Sequence, residues 1–581
     1  MQLKQLYIKR FRNLRNFSII FSTHLPPLPS EEPPTPKAVQ SHALIGQNGT
    51  GKSNLIEALI TIFRDLDLNC DAAFDYVIEY SIRDRTVRVE ADRARQRRPF
   101  VFVDDKAESQ SFLIENRELL PSHVFAYYSG RNERIEALFE EHQRRFSRRQ
   151  EIVAEEVLPA NLLRNLSDDA ADIRAVEEAK SRRERQDRHL GDDRLRRLFY
   201  CRGGHSQLVL LACLLSKDPV FEKLVANLNI ESLESALFVL KEPHRIREKR
   251  RAGKFEEADI NEGDPRFWYA RGNVVTEFLD KLWQVAWAPI EQEVTKRIDF
   301  RGRTEKQRQL YLFVPNQEKL KLLGEMVGGT DSFFRYAEGA YIGDLLEEVR
   351  IVVKKRGEHG GKVAFTCLSE GELQLLTVLG LMRITRENHC LFLLDEPDTH
   401  LNPIWKLRYF EDIERVLSPF GPDGAGDSQI VITTHDPMMI GGLRREQVYV
   451  LRPDRDQIKV DNPLEHPQGM GVTGLLKSEL FGLSSTLDVE TERRLFLRNE
   501  LFVKAPRTPA EDAELRRLST ELADLGFSTG DFRDPDYALF VRRMAQHPRF
   551  RKPTLTPDEQ VEQDRIADSV IDEILREIEQ P

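Results

Sequence analysis

The sequence predicts an α/β protein in which a mixed sheet with flanking helices carries a phosphate-binding loop. The segment Gly46–Ser53 fits the pattern GxxxxGK[ST] completely. The apolar strand Ala43–Ile45 precedes this loop and the helix Asn54–Phe63 follows it, which is the context that the motif requires. Cys390–Leu394 is a continuous apolar run, and Gln429–Thr433 is a second strand of this kind. Such runs are typical of buried parallel strands.

Composition bounds the class of protein. The chain has 581 residues, of which 40% are hydrophobic and 31% charged, with a formal net charge of -10, so it has room for several domain-sized units and enough apolar residues for a core. No apolar run approaches the roughly 18 residues of a membrane-spanning helix, and the start at Met1 lacks the pattern of a signal peptide. Five cysteines without a CxxC pair argue against a disulfide framework or zinc knuckle. We therefore expect a cytoplasmic protein with no membrane partner.

Each part of the glycine-rich loop has a chemical reason. Glycines let backbone N–H groups approach phosphate oxygens, and the following helix N-terminus adds partial positive charge. Lys52 is expected to reach the β- and γ-phosphates, and Ser53 to ligate Mg²⁺. A glycine-rich turn without a ligand would leave the Lys-Ser pair unexplained. The candidate nucleotide-binding residues of the loop are Gly46, Asn48, Gly49, Gly51, Lys52, Ser53 and Asn54.

Two acids end the apolar strand Cys390–Leu394. Asp395 is expected to bind Mg²⁺, directly or through water, and Glu396 to orient and polarise the attacking water. The plainer interpretation is an ordinary turn at the end of a strand. Together with a phosphate loop, the acid pair predicts ATP hydrolysis, with Lys52, Glu396 and His435 as the expected catalytic residues.

Two more segments are candidates for phosphate contacts. Ser369 and Gly371 open a predicted helix, where they could face phosphate, although Glu372 could equally complete a capping box with Ser369. His435 ends the strand Ile430–Thr433 and could reach a γ-phosphate or hold the water, although a lone histidine at such a place is usually structural.

These pieces, in this order, resemble the ABC-type ATPase head of the SMC, RecF and OLD group. The resemblance makes Gly46–Ser53 the Walker A motif, Leu368–Glu372 an LSGGE-like signature, Asp395-Glu396 Walker B and His435 the switch histidine. It also implies that Arg12, in Phe11-Arg12, lies near the nucleotide.

The sequence from Asp395 to Pro403 is closer to the OLD-like, defence-associated branch. Overall size and the insert resemble the ATPase component (PtuA) of Septu-type anti-phage systems. In such heads the signature completes the site of a second protomer, so the resemblance implies a homodimer or higher homo-oligomer that sandwiches ATP.

Three positions depart from the family pattern. Glu370 stands where the signature usually has glycine, and Asn402 stands where the D-loop often has aspartate. No glutamine follows the strand Val124–Tyr128 at the Q-loop position, where Ser129 or Asn132 could substitute.

The motifs divide the chain into four regions. Residues 1–130 form an N-terminal lobe of the head with Walker A, and residues 301–460 form a C-terminal lobe with the signature, Walker B and His435. Residues 131–300 are predicted to be a charged, mainly helical insert, and residues 461–581 a helical region for oligomer or partner docking. The remaining predicted strands lie in Leu3–Phe21 (two strands), Val77–Val103, Val124–Tyr128, Gln309–Val314, Arg350–Lys354 and Gln447–Leu451.

The insert contains clusters of basic residues, which could bind DNA or RNA phosphates or could form an ordinary solvated surface. The clusters are Arg144, Arg145, Arg148 and Arg149; Arg182, Arg183, Arg185 and Arg188; Arg194, Arg196 and Arg197; and Arg245, Arg247, Lys249, Arg250 and Arg251.

The chain is not expected to cut nucleic acid itself. Asp454-Arg455-Asp456 resembles part of a Toprim nuclease centre, but Gln457–Val460 alternates like a returning strand, so a hairpin turn is the simpler interpretation. A separate effector, such as an HNH nuclease, would then be the partner of a defence ATPase. The alternative is a RecF-like repair or chromosome-maintenance ATPase that acts by DNA binding without a nuclease. An ABC protein of transport or translation is disfavoured, because those chains keep Walker A and signature much closer together.

Overall fold

The structure is a computed structural model, and it divides into two compact units. The first unit comprises residues 1–439 and 451–460, and the second comprises residues 440–450 and 461–581. The residues described are 1–21, 39–130, 132–150, 197–202, 204–254, 260, 263–272, 274–297, 304–356, 361–385, 389–417, 428–455, 457–483, 486–504, 506–525 and 565.

Six strands near the N-terminus form an antiparallel sheet of order β2-β1-β4-β5-β6-β7. Two of its hairpin loops, Arg83-Asp84 and Asp104-Asp105, have both central residues at positive φ, as a two-residue loop that follows the strand twist requires. The strands are β1 (Gln2–Phe11), β2 (Leu14–Ile20), β4 (Tyr76–Ile82), β5 (Arg85–Ala91), β6 (Phe100–Val103) and β7 (Lys106–Glu108).

A seven-stranded sheet of order β18-β17-β3-β16-β15-β8-β9 carries the phosphate loop. The pairs from β3 to β9 are all parallel. The strands β15 and β16 are buried at every position, which is why the runs Leu391–Leu394 and Ile430–Ile432 within them are apolar. The strands are β3 (Val39–Gly46), β8 (Val124–Tyr128), β9 (Leu198–Tyr200), β15 (Leu391–Asp395), β16 (Ser428–Thr433), β17 (Val448–Asp454) and β18 (Gln457–Asp461).

A third sheet is antiparallel, with the order β11-β12-β10-β13-β14. Its strands are β10 (Ile230–Lys241), β11 (Trp287–Arg297), β12 (Thr304–Val314), β13 (Leu346–Lys355) and β14 (Lys362–Ala364).

The longer helices of the first unit pack between and beside these sheets. Helix α1 starts at Lys52 of the phosphate loop, and α5 is buried along most of its length. The helices are α1 (Lys52–Leu68), α2 (Gln110–Glu115), α3 (Glu133–Ala137), α4 (Glu140–Gln150), α5 (His205–Leu215), α6 (Pro219–Asn227), α7 (His244–Arg251), α8 (Asp280–Val285), α9 (Gln317–Val327), α10 (Thr330–Ile342), α11 (Glu370–Ile384) and α12 (Pro403–Leu417).

The second unit is helical in most of its described part. Its helices are α14 (Gly471–Lys477), α15 (Val489–Val503) and α16 (Pro509–Asp524), and the short α13 (Pro437–Ile440) precedes them at the unit boundary. Asp488 caps α15 by accepting a hydrogen bond from the Thr491 N–H at 3.0 Å. Among the residues that the structure describes, no helix is both long and apolar enough to span a bilayer.

The insert differs from the mainly helical segment that the sequence predicted for residues 131–300. Its described part contains three strands, β9, β10 and β11, as well as helices. In β10, the apolar residues Ile230, Leu233 and Ala236 recur every three residues, a spacing that resembles a helix. The strand shifts register between Ile230 and Ser232 and again between Leu233 and Ser235, and these bulges return each apolar side chain to the buried face.

The sequence did not predict the strand β11, for a different reason. It is exposed at nearly every position, so it carries no apolar alternation by which a sequence would reveal it. The Pro-rich stretch Pro26–Pro36, the basic residues from Arg182 to Arg196 and the charged tail Asp568–Gln580 lie outside the described residues.

Other predicted elements are confirmed. The two strands in Leu3–Phe21, the three in Val77–Val103 and the strand Val124–Tyr128 are all present. The strands β17 and β18 are neighbours in sheet order and flank Arg455, which has a φ of 53°, so the segment from Asp454 is a hairpin turn as predicted.

Candidate functional site

The phosphate loop joins β3 to α1 with close backbone packing. A Cβ at Gly46 would lie 2.6 Å from the Leu451 carbonyl oxygen. Gly51 has a φ of +88°, and a Cβ there would lie 2.7 Å from a methyl group of Leu14. Both positions therefore require glycine, whereas Asn48 and Gly49 are exposed at the tip of the loop.

The turn between β1 and β2 is hydrogen-bonded to this loop. Asn13 donates from Nδ2 to the Gly49 carbonyl oxygen at 2.7 Å and accepts from Asn54 Nδ2 at 2.7 Å. Arg12, at a φ of 52°, directs its guanidinium to the buried carboxylate of Glu57 on α1. The charge of Arg12 is thus engaged by Glu57, and the nearness of Arg12 to a nucleotide stays a prediction. Sequence reasoning missed Asn13, although it stands next to Arg12 in the same turn.

Lys52 is 6% exposed and lies over the loop. Its Nζ donates to the carbonyl oxygens of Gly46 at 2.7 Å and Gln47 at 3.4 Å. Burial lowers the pKa of the Lys52 ammonium, and the charges of Glu396 and Asp395 partly oppose that shift. The structure therefore brings together the phosphate-loop lysine and the acid pair from more than 300 residues away.

Asp395 ends β15 in a buried position, 1% exposed. Thr433, at the end of the parallel neighbour β16, donates its hydroxyl hydrogen to Asp395 Oδ1. Burial raises the pKa of the Asp395 carboxyl, while the hydroxyls of Thr433 and Ser53 partly offset the increase. Ser53 and Asp395, the two predicted metal ligands, are thus adjacent.

The second carboxylate oxygen of Asp395, Oδ2, is buried and has no hydrogen-bond partner among the described residues. A buried acceptor without a donor is costly unless a ligand satisfies it. No group of three or more His, Cys, Asp or Glu side chains in the described part of the chain could hold a metal alone. A hydroxyl, one carboxylate oxygen and phosphate oxygens are a donor set that fits Mg²⁺, which keeps few protein ligands.

Glu396 follows at a φ of 48°, a left-handed conformation that is uncommon for this residue type. Its N–H donates to the Thr433 carbonyl oxygen at 3.0 Å and lies 3.2 Å from Thr433 Oγ1, which holds this conformation. The side chain is half-exposed, and its Oε1 lies 3.2 Å from Nδ1 of His435. His435 therefore contacts Glu396, the residue predicted to activate water. Thr433 was not among the predicted residues, although it stands two positions before His435.

The signature segment begins α11. Ser369 accepts from the Glu372 N–H at 3.2 Å, and Glu372 accepts from the Ser369 N–H at 2.8 Å, which completes a capping box. Lys355 pairs with Glu372 at 2.8 Å. Gly371 is tightly packed, because a Cβ there would lie 2.5 Å from the His400 carbonyl oxygen.

This segment lines a shallow recess of its own together with His400, Asn402 and Trp405. Asn402, at the D-loop position, caps α12 by accepting from the Trp405 N–H at 2.9 Å. The structure therefore supports the plainer capping interpretation for Ser369 and Glu372, and it leaves Gly371 facing a recess rather than the phosphate loop.

Gln374 and Ser129 form hydrogen bonds with the segment that contains Walker B. Gln374 on α11 donates to the Pro397 carbonyl oxygen and accepts from the His400 N–H at 3.3 Å. Ser129, after β8, donates from its backbone N–H to the Asp395 carbonyl oxygen at 3.1 Å. Asn132, the other residue considered for the Q-loop, instead caps α3 by accepting from the Ile135 N–H. Of the two, Ser129 is the one that contacts the Walker B strand.

The parallel sheet, the glycine loop at a helix N-terminus and the acid pair beside it define a P-loop ATPase of α/β fold. A family model described as "AAA domain, putative AbiEii toxin, Type IV TA system" matches residues 41–440, and the chain belongs to this AAA-type ATPase family. No curated protein matches the chain significantly.

Solved structures show only distant similarity. The SMC head bound to the C-winged helix domain of ScpA is 10% identical, with a TM-score of 0.30, over 80% of this chain and 98% of that one. The SMC head domain from Thermotoga maritima is 12% identical, with a TM-score of 0.29, over 80% and 99%. The recombination mediator RecF-ATPrS of the RecFOR pathway is 12% identical, with a TM-score of 0.27, over 79% and 97%. Scores this low support no conclusion about this chain, and the fold assignment depends on the strand order and loop geometry.

Proposed function

We propose that this protein binds and hydrolyses ATP with Mg²⁺. The observation that carries the proposal is the cluster at the ends of β3, β15 and β16, where Lys52, Ser53, Asp395, Glu396 and His435 lie together. Ser53 and Asp395 would hold the metal, and the metal would supply neutralisation of phosphate charge.

Other groups of the protein bind the phosphates and activate the attacking water. The backbone N–H groups of Gly49, Gly51 and Lys52 bind phosphate oxygens, and the Lys52 ammonium moves from the loop carbonyls to the phosphates. Glu396 orients and polarises the attacking water, and His435 holds the Glu396 carboxylate in place. Phosphate release by the full chain, with and without Mg²⁺, tests this activity. A wild-type chain that binds ATP without releasing phosphate would contradict it.

We further propose that ATP joins two copies of the chain. The support is the position of Gly371 at a recess with His400 and Trp405, open to a partner molecule. Ser369 and Gly371 of one copy would then complete the phosphate site of the other. Mass measurement by light scattering, with and without ATP, tests this arrangement.

The biological role that we propose is cytoplasmic anti-phage defence, in which this ATPase regulates a separate nuclease, such as an HNH protein. Support comes from the resemblance of Asp395–Pro403 to the OLD-like, defence-associated branch and from the family description, which names a putative toxin of a type IV TA system. Co-expression with a neighbouring HNH reading frame, followed by affinity capture and plaque counts, tests this role. Loss of protection in a Lys52→Ala variant is expected if ATP controls the nuclease.

The alternative is a RecF-like ATPase that acts on DNA without a nuclease partner. It predicts duplex binding by the isolated chain and sensitivity to DNA damage in a deletion strain. The basic residues of the insert are the proposed nucleic-acid contacts in both cases. A deletion strain that becomes sensitive to DNA damage, while phage plaque counts stay unchanged, would favour this alternative over the defence role.

A further inference from the structure

A cavity of about 850 Å³ lies in the first unit, and its lining includes neither the phosphate loop nor the Walker B residues. Its walls come from α4, the segment after β9, α7, residues 269–271 and 274, and residues 339 and 341–347. A volume of this size is typical of small-ligand sites. The cavity is therefore a second candidate binding site, independent of the proposed ATPase activity.

The cavity lining has twice as many cationic as acidic side chains. The acids are Glu140, Asp344 and Glu347. Lys241 pairs with Asp344 at 2.5 Å and with Glu347 at 2.7 Å, and Glu347 also pairs with Lys296. Arg144 pairs with Glu140 at 3.1 Å, and Arg202 pairs with Glu136 at 2.7 Å. The cations are Arg144, Arg202, Lys241, Arg245, Lys249 and Arg271. A net positive lining favours an anionic ligand.

Two of the basic clusters in the sequence meet at this cavity. Arg144 comes from the cluster on α4, and Arg245 and Lys249 come from the cluster on α7, one helical turn apart on the same face. Other members of the α7 cluster serve the fold, because Arg247 pairs with Glu305. The fold thus selects particular cations from each cluster for the cavity.

Aromatic rings accompany these cations. Tyr269 and Tyr341 line the cavity, and Tyr269 is 40% exposed. Trp268 and Tyr269 have φ values of 57° and 65°, and the Tyr269 N–H donates to the Asp264 carbonyl oxygen at 2.9 Å, which fixes this unusual turn. Ile246 and Val274 add apolar surface. Rings beside cations suit a base attached to phosphate.

We propose that this cavity binds a phosphorylated nucleoside, with the phosphates at the cations of α7 and the base against a tyrosine. Two kinds of molecule carry this phosphorylated nucleoside: a free nucleotide and the 5′-phosphorylated end of a single strand. A duplex does not fit a cavity of this volume and would instead contact an exposed surface.

The test uses the full chain in a Lys52→Ala background, which removes the phosphate-loop lysine. ATP in the presence of EDTA and a labelled 5′-phosphorylated pentathymidylate are the two probes, measured by calorimetry and fluorescence anisotropy. We expect binding of at least one probe, and we expect it to weaken as salt increases because phosphate contacts are screened.

Variants on α7 identify the site. Arg245→Glu with Lys249→Glu should weaken binding at least about tenfold through charge reversal. Arg251→Glu is the matched control, since Arg251 is exposed on the same helix but does not line the cavity, and it should change binding less than about twofold. Tyr269→Ala should weaken binding about fivefold or more if the ring stacks on the base.

Thermal melts first establish that each variant is folded. The two probes then distinguish a free nucleotide from a strand end. ATP binding alone identifies a free nucleotide, and oligonucleotide binding alone identifies a strand end. Either result supports the proposal if the α7 double variant loses binding and Arg251→Glu keeps it. Absence of binding by both probes, or equal loss in the double variant and the control, would overturn it. Neither result bears on ATP hydrolysis by the chain with Lys52 intact.

Discussion

The two halves of the proposed nucleotide site differ in how a single chain completes them. In the Walker half, Lys52, Ser53, Asp395 and Glu396 come together through the parallel strands β3, β15 and β16. In the signature half, Ser369 is satisfied by its own helix, and Gly371 lies at a separate recess. A single chain therefore brings the Walker residues together, whereas its signature segment lines a recess that does not include them.

The largest expected effect is that of Glu396→Gln in the Walker half. Removing the group that polarises water should lower phosphate release about 1,000-fold, within the usual range for a general base, while ATP binding persists. Stalled hydrolysis should trap the ATP-bound dimer, which light scattering would detect. Glu411→Gln, at an exposed position on α12, is the control. A Glu396→Gln chain that binds ATP and stays monomeric would contradict the proposed sandwich.

The free energy of unfolding should also depend on pH, because His42 lies buried in β3, the strand that leads into the phosphate loop. Burial lowers the pKa of His42 to about 4 from an ordinary value near 6.5. The buried neutral imidazole therefore stabilises the fold fully above about pH 6.5, and this stability is lost as the pH falls toward 4. The total loss is about 3 kcal/mol.

Denaturant unfolding at pH 7.5 and pH 5.0 checks this prediction. The free energy of unfolding should fall by about 2 kcal/mol more in the wild type than in His42→Leu between those values. His244→Gln, at an exposed position of α7, is the control and should show the same change between the two pH values as the wild type. An identical pH dependence in the wild type and His42→Leu would show that His42 does not titrate in this way.

Thr433→Val tests the support of Asp395. The change removes the hydroxyl that donates to Asp395 Oδ1, so the already raised pKa of Asp395 should rise further. The Mg²⁺ concentration needed for half-maximal hydrolysis should increase about tenfold, and the acid limb of the pH profile should move to higher pH. Thr434→Val is the matched control, because the Thr434 hydroxyl donates to Asp398 instead. Equal Mg²⁺ requirements in both variants would refute this role of Thr433.

The smallest expected effect is that of Gly371→Ala in the signature half. The added Cβ would press on the His400 carbonyl oxygen and displace the start of α11. ATP-dependent dimerisation should weaken about tenfold, while ATP binding to the dilute chain should change less than about twofold, because the Walker half is untouched. Gly361→Ala, at a position with open space around it, is the control. Equal loss of ATP binding and dimerisation would remove the distinction between the two halves.

Local patterns predicted the Walker residues well. Gly46–Ser53 and Asp395-Glu396 each need only a strand, a turn and residue types that are visible in a few consecutive letters. The supporting residues were missed for the opposite reason. Thr433 acts through a hydrogen bond to a residue on another strand, and Asn13 acts on a loop 36 residues away.

The sequence alone determined the strands that flank the phosphate loop, the acid pair and the strands near the N-terminus, because short-range periodicity and turn chemistry encode them. Tertiary structure alone decided that β9 joins the nucleotide sheet, that the bulged β10 is a strand, and that Arg144 and Arg245 share a cavity. These features depend on register and on contacts between residues far apart in the chain. A one-dimensional pattern carries neither, so only the folded chain reveals them.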